Sequence, residues 1–410
     1  MTKKWHITKI LFIFVLALVS IYFSSRSAAS AEPKAGDVID AGNVGQFKNY
    51  LPYFMVRWVE GSWGFESPIA ITVKKPEDWP ITSAFRKASE QNIGKVTLTS
   101  EGLIEGYTGV GVPFPNPKEP DLALKIMWNK FYMDLPEDWS LPDSFLVFSK
   151  RKGGSVSVYN SIYDCLKFSG RTIRPPLPEL DNPNGLYWAT ILNSKTPPLK
   201  DMATLTWRYK DPTKYDDMWT YVPTLRRTLR MMSSERANPI QGSPSTWDEI
   251  WGFDGLIPLF TYRLLRKEKT LMIANMHTTA DKLPDGMYNH PILFGQNDPY
   301  ELVDAYVIEI TSKDPRYPSS KWDFWVRDRH WAGFYAEIYD KRGEFWKSNT
   351  TSFIVRPLGN SKTDFYALRL GGGAVDYKTQ YWTINFVGDL NTNTGLDQER
   401  FDPSIFGGGW

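Results

Sequence analysis

From about Lys95 onward the chain is a succession of short β-branched and aromatic runs cut by Gly, Pro, Asn and Asp. The runs include Lys95–Thr108, Asp143–Lys150, Ser155–Ile162, Tyr187–Leu192, Ala203–Tyr209, Asp217–Met231, Leu259–Leu265, Thr270–Ala274, Ala305–Thr311, Trp322–Arg327, Phe334–Tyr339, Thr351–Pro357, Asp364–Leu370 and Tyr381–Val387. That rhythm, without a comparable series of long 3.6-residue patterns, predicts a mainly antiparallel β protein. Two helices are predicted, Thr82–Gln91 and Asp121–Tyr132. Asp121 is the expected N-cap of the second, with Leu124, Met127, Trp128 and Phe131 near one face. No low-complexity linker divides the chain. A single β-rich domain is therefore expected over 95–400, after an N-terminal extension with a short helix over 32–94. The Gly-rich end, 401–410, is expected to be a flexible tail.

Two neighbouring runs alternate clearly. In 203–209, Ala203, Leu205, Trp207 and Tyr209 share a face, and Thr204, Thr206 and Arg208 share the other. In 217–231, Trp219, Tyr221, Pro223, Leu225, Leu229 and Met231 share a face opposite Thr220, Thr224, Arg226, Thr228 and Arg230. The turn-rich segment 211–217 predicts a hairpin between the two runs. Pro223 cannot donate to a ladder and marks an edge, a bulge or a break, and a one-residue slip there would move Arg227 to the other face. Two readings follow. In one, the aromatics are core and the arginines a solvated face. In the other, Trp207, Tyr209, Trp219 and Tyr221 line a concave sheet that receives an apolar ligand, while Arg226, Arg227 and Arg230 hold an anionic head group or partner at its rim. The 17 Trp, 21 Tyr and 23 Phe make the second reading worth carrying, because Trp and Tyr join an apolar body to a polar edge.

The first residues read as an export leader. Lys3, Lys4 and Lys9 precede an apolar run from Ile10 to Phe23, and Ala29-Ser30-Ala31 forms a small-x-small site. The run is short for a membrane span, which needs about 20 residues. Cleavage after Ala31 removes four basic residues and no acid, which takes the formal charge from +2 to −2. Neither value suits a nucleic-acid binder.

The residues that carry chemistry are sparse. One cysteine, Cys165, excludes an internal disulfide framework and any multi-cysteine metal site. Four histidines, His6, His277, His290 and His330, are widely spaced, so no metal or cofactor is expected. There is no Gly-x-Ser-x-Gly nucleophile elbow. The triplet Gly371–Gly373 lacks the Lys-Ser/Thr of a phosphate loop and is expected to be a turn. Asp248/Glu249 and Asp323/Asp328 lie among aromatics, as paired carboxylates do in sugar-cleaving sites, but acids at turns more often cap helices or meet solvent. His330, between Arg329 and Trp331, is more often a packed residue than a base.

The stretch Trp219-Thr-Tyr-Val-Pro-Thr-Leu-Arg-Arg-Thr-Leu-Arg230 resembles a signature of the bacterial family known as domain of unknown function 1329. Three further stretches agree in order: Gly111-Val-Pro-Phe-Pro115 with the helix Asp121 to Asn129, Asp248–Gly255, and Arg329–Lys347 with Tyr339-Asp-Lys-Arg-Gly-Glu-Phe-Trp346. Together they span roughly 95–350. The family is similar to the LolA/LolB-like lipoprotein-sorting carriers. The resemblance implies an antiparallel sheet curled into a half barrel around an apolar cavity, with a few covering helices. It also implies a periplasmic protein, peripheral to a membrane of the envelope, that binds a lipid acyl chain or a lipidated protein and meets an envelope membrane partner; it implies no catalytic residue. A buried twelve-carbon chain would contribute on the order of 10 kcal/mol before association costs, so binding needs no reactive group. The alternatives from the residues alone are an exported carbohydrate-active hydrolase using the acid–aromatic clusters, and a structural envelope protein.

Overall fold

The structure is a computed structural model that describes residues 31–62, 70–77, 79, 81–150, 157–273, 275–276 and 298–407. The expected leader lies outside the described residues, apart from Ala31. Among the described residues no helix is long and apolar enough to cross a membrane.

The N-terminal part holds β1 (Val38–Ile39), α1 (Val44–Phe47), α2 (Tyr53–Val59), β2 (Ile71–Lys74), α3 (Ser83–Glu90), the small hairpin β3 (Thr97–Leu98) and β4 (Ile104–Glu105), and α4 (Leu122–Phe131). A first meander follows: β5 (Asp138–Lys150), β6 (Ser157–Lys167), β7 (Leu186–Ser194), β8 (Ala203–Tyr209), β9 (Asp217–Val222) and β10 (Arg227–Met231). The chain then crosses through residues 232–259, a strap of short 3-10 turns. A second meander returns through β11 (Phe260–Met272), β12 (Tyr300–Ser312), β13 (Lys321–Arg327), β14 (Gly333–Tyr339), β15 (Phe345–Pro357), β16 (Phe365–Asp376) and β17 (Tyr381–Val387), and β18 (Asn391–Thr392) closes onto β5.

Antiparallel pairing of β17 with β5, from Tyr381 opposite Lys150 to Val387 opposite Ser144, joins the two meanders into one sheet. Its order runs from β11 through β12 to β17, then β5 to β10. The sheet is open and curled, with no closed barrel, and its two edges are β10 and β11. The fold is thus the mainly β half barrel that the sequence implied. The strap must travel from one edge to the other, and it does so across the inner face.

Several boundaries hold and several do not. Ala203–Tyr209 is β8 as predicted, and the two helices differ by one residue at each end. Asp121 sits before α4 with a left-handed φ of 63° and makes no side-chain cap. The predicted single run 217–231 is instead a hairpin. Pro223–Leu225 form a 3-10 turn, Arg226 takes a left-handed φ of 48°, and Val222 pairs with Arg227. The predicted runs Leu259–Leu265 and Thr270–Ala274 are the two ends of β11, which bulges between Leu264 and Arg266. The stretch Lys95–Thr108 yields only the four hairpin residues of β3 and β4.

Residues 32–94 are not an extension outside the β domain. β2 adds to β12, and Phe47, Phe54 and Trp58 are buried in the main core with Phe334 and Tyr335. The described part of the expected tail is likewise not loose; residues 408–410 lie outside the described residues. Residues 398–407 form two 3-10 turns, and Phe401 and Phe406 are buried against Leu205, Ala203 and Ile191 of the outer face. Both faces of β6–β9 are apolar, so the outer one needs cover, and these two rings supply it. Phe401→Ala is expected to destabilise the protein by about 3–5 kcal/mol in urea unfolding, as for other buried Phe truncations. An unchanged midpoint would mean that the segment is a free tail.

The N-terminus of α2 is tied to the sheet by a buried acid. Glu337 of β14 accepts from the Phe54 amide at 3.2 Å and from the Tyr339 hydroxyl at 3.1 Å, and it lies directly opposite Asp323 of β13. Burial, reinforced by Asp323, pushes its carboxyl from 4.5 up to about 7. Half-buried Asp134, which accepts from Thr82, is pushed up to about 6 by desolvation in the same way. A carboxyl raised by folding contributes fully at low pH and loses its contribution as pH rises from the unfolded to the folded pKa. Stability is therefore expected to fall between pH 5 and 7 in chemical denaturation, with a shallower fall for Glu337→Gln. Parallel profiles for the two proteins would overturn this assignment.

Candidate functional site

The strap and α4 cover the inner face of the sheet, and buried charges hold them there. Arg208 of β8 pairs with Asp216 at 2.8 Å and with Asp254 of the strap at 2.7 Å. Arg236, at the start of the strap, pairs with Asp216 at 2.7 Å, Asp248 at 2.8 Å and Asp254 at 3.0 Å. Burial opposes the charge of Asp254, but Arg208 and Arg236 beside it hold its carboxyl below the usual range. Asp216 and Asp254 outweigh burial at Arg208 and hold its pKa above the ordinary arginine value. On the far side of the sheet, Lys347 of β15 pairs with Glu249 at 3.0 Å and donates to the Pro244 carbonyl, while Asn349 donates to the Glu249 carbonyl. Lys130 of α4 donates to the Phe253 carbonyl. Each attachment joins the strap to a different element.

Under the strap lie two cavities. The larger, about 130 Å³, is bounded by Trp139, Leu141, Tyr163, Leu192, Trp247 and Trp251, with Arg369 of β16 and Thr383 of β17 among its polar groups. The smaller, about 40 Å³, is lined by Trp188, Arg208, Phe131 and Phe353 and shares Trp139 and Trp251 with the first. Trp251 is the partition. Its ring centroid lies 5.4 Å from that of Trp139 and 5.3 Å from that of Trp188. A left-handed pair, Trp251 at φ 63° and Gly252 at φ 79°, turns the strap so that this ring points inward. The glycine is required there because a Cβ at Gly252 would stand 2.9 Å from the Phe324 ring.

The predicted triplet turn is in fact part of this site. Gly371–Gly373 lie within β16, which bulges between Arg369 and Gly371 opposite Ser352 and Phe353. A Cβ at Gly372 would stand 2.5 Å from the Thr350 carbonyl oxygen, so only glycine lets the strands approach. Gly372 and Gly373 line the larger cavity, where larger side chains would occupy its space.

The predicted ligand-binding residues lie elsewhere. Trp207, Tyr209, Trp219 and Tyr221 are on the outer face of β8 and β9, because Arg208 between the first two points into the smaller cavity. Trp207 donates to the Phe401 carbonyl at 2.6 Å and meets Trp219 edge-on, and Tyr221 stacks on Phe406. Tyr209 donates to Asp217. The expectation that these four line the inner face is therefore corrected: the alternation was grouped correctly, and the opposite face proved to be the inner one. Arg226, Arg227 and Arg230 are exposed on the β9–β10 hairpin and line neither cavity; Arg230 pairs with Asp217. The break at Pro223 folds these arginines into the hairpin at the sheet edge.

The other candidates have structural partners. Asp248 and Glu249 are the strap's pins. Asp323 pairs with Lys321 at 2.9 Å and Asp328 with Lys267 at 2.6 Å. His330 contacts the Trp79 carbonyl and packs edge-on against its ring. Cys165 is fully buried, and burial pushes its thiol up. Among the described residues no three His, Cys, Asp or Glu side chains converge as a metal site requires. Sequence reasoning missed Trp139, Trp188, Trp251 and Arg369. Two signals were available: Arg208 on the polar side of an alternating strand, and Trp251 inside the segment Asp248–Gly255.

The chain matches the family model "Protein of unknown function (DUF1329)" over residues 38–394 and belongs to that family. No curated protein matches it. It is similar in fold to a solved domain from Vibrio parahaemolyticus described as outer membrane lipoprotein-sorting, with TM-score 0.50, 16% identity and coverage of 70% of this chain and 98% of that one. Matches of lower TM-score include a DUF1329 protein from Desulfovibrio piger, at 0.47 and 16% identity over 68% of this chain and 96% of that one. A LolA superfamily protein from Nitrosomonas europaea matches at 0.40 and 13% identity over 69% and 98%.

Removing one cation from the strap's network leaves buried carboxylates uncompensated. Arg236→Met is expected to cost about 3–5 kcal/mol in chemical denaturation. A loss under 1 kcal/mol would show that the network does not hold the strap.

Proposed function

We propose that this protein is a carrier that holds an apolar ligand, a lipid acyl chain or the lipid of a lipidated protein, in the larger cavity beneath the strap. The observation that carries this reading is a tryptophan-walled cavity enclosed between the two halves of an open, curled sheet. Such cavities, apolar with a few convergent polar groups, are the usual form of a small-molecule site. The lipoprotein-sorting description of the similar Vibrio domain supports it. At about 130 Å³ the cavity is close to one that holds a benzene molecule. A longer acyl chain therefore extends beyond the cavity, and each methylene that becomes buried contributes about 0.8 kcal/mol. The role is one of binding, not turnover, since the acid pairs that could serve a hydrolase are engaged with lysines and arginines. Export through residues 1–31 places the carrier in the periplasm, where the partner is an envelope membrane protein or the outer membrane itself.

Native mass spectrometry of the full chain expressed with its leader and purified from the periplasm tests this. A co-purifying mass in the lipid range is expected. Ala374→Leu, which projects into the cavity from a buried wall position, is expected to lose that mass while melting within a few degrees of wild type. A clean apo mass, with no acyl ligand taken up on titration, would overturn the carrier reading.

A further inference from the structure

Four buried bases among the described residues are matched by carboxylates. Arg171, Arg208, Arg236 and Lys347 each have a carboxylate within 3.1 Å. Arg369, half-buried in the cavity wall, is not: among the described residues it has no carboxylate at ion-pair distance, and its Nε is buried without a hydrogen-bond partner. Its guanidinium lies 5.8 Å from the Trp251 ring centroid, and it lines the larger cavity. Burial lowers its pKa to about 10, so it is still charged at neutral pH.

A second polar group in the same wall is also unmatched. The Thr383 hydroxyl is buried without a partner, and Thr383 lines the same cavity. Glu249 is the one carboxylate among the cavity's described lining residues, and Lys347 holds it. No described carboxylate reaches Arg369 at ion-pair distance, Asp254 acting on it only from farther away, and no unpaired acid among the described lining residues repels an anion there. The bulge beside Arg369 and the missing side chain at Gly372 make room for the guanidinium, since a Cβ at Gly372 would stand 3.4 Å from Arg369 Nη2. A desolvated cation with unused donors facing an apolar cavity is costly unless an anion completes it, and a guanidinium fork matches carboxylate and phosphate oxygens.

We propose that Arg369 recognises the head of a single-anion amphiphile, an acyl chain ending in a carboxylate or a phosphate, and so excludes neutral lipids, while Thr383 offers a further polar contact elsewhere in the same cavity, opposite Ala374. The proposal rests on the carrier reading above and names its ligand class. Arg369 orients the head group, and the walls of Trp139, Trp251, Leu141 and Leu192 take the first methylenes.

Isothermal titration of the delipidated full chain with dodecanoate, dodecyl phosphate and dodecanol, each below its micelle concentration, tests it. Wild type is expected to bind at least one of the anions tenfold or more tighter than dodecanol. The better anion identifies carboxylate or phosphate as the natural head. Arg369→Met is expected to bind all three with the affinity of dodecanol and to melt at a higher temperature, because it removes a half-buried charge that has no ion-pair partner. Arg369→Lys serves if the Met variant does not fold, and it is expected to keep part of the margin. Equal affinities of wild type for anions and dodecanol, or an undiminished margin in both variants, would overturn the anchor and leave the carrier reading standing. No binding of any of the three by wild type would overturn both.

Discussion

The two meanders share a sheet, but what converts that sheet into a container is the strap, and the strap is held by charge. Arg208 and Arg236 grip Asp216, Asp248 and Asp254 in a cluster in which each pair comes within 3.0 Å. Hydrophobic burial alone would press residues 232–259 onto the inner face without fixing where. Charged hydrogen bonds are directional, and in a low-dielectric interior any register that leaves one unmade is penalised. The network thus selects one placement of Trp251 between Trp139 and Trp188, and that placement creates the two cavities.

An open sheet with two apolar faces needs two covers. The inner one is covered by the strap and α4, the outer face of β6–β9 by the last described residues, with Phe401 and Phe406 filling against Leu205 and Tyr221. The distribution of aromatics follows. Tryptophans of the inner face bound empty space, while Trp207 and Trp219 are packed and capped. The aromatic excess is divided between a lining and a lid.

This division explains what the sequence could and could not tell. Period-two alternation made β8 legible to the residue and grouped its side chains correctly, because pleating alone sets that grouping. It could not say which group faces inward, since that depends on which face the strap crosses, a non-local fact. Pro223 correctly marked an interruption, but a break and a hairpin turn look alike until the strand pairing is known. Gly371–Gly373 were read as a turn because glycine usually marks one; here tertiary contact overrode that tendency, with Thr350 approaching too closely for any Cβ. Arg369 carried no signal in the chain, as its significance is the absence of a partner in space. The acids at 248 and 249 were expected at caps or in solvent; they are buried in the ion pairs that hold the strap.

The strap's two attachments are unequal. Toward β8 it is held by two arginines and three carboxylates that share bonds, so the loss of any one leaves others buried and unpaired. Toward β15 it is held by a single ion pair, Lys347 with Glu249, and by two hydrogen bonds to its backbone carbonyls. Glu249 and Asn349 of that attachment are themselves walls of the larger cavity, as is Arg369 on the neighbouring strand. Local opening follows the route that breaks the fewest buried interactions. Release on the β15 side uncovers the larger cavity and leaves the arginine network closed around the smaller one. The same asymmetry sets Arg369 beside the weaker attachment, on the side from which the proposed anion would enter.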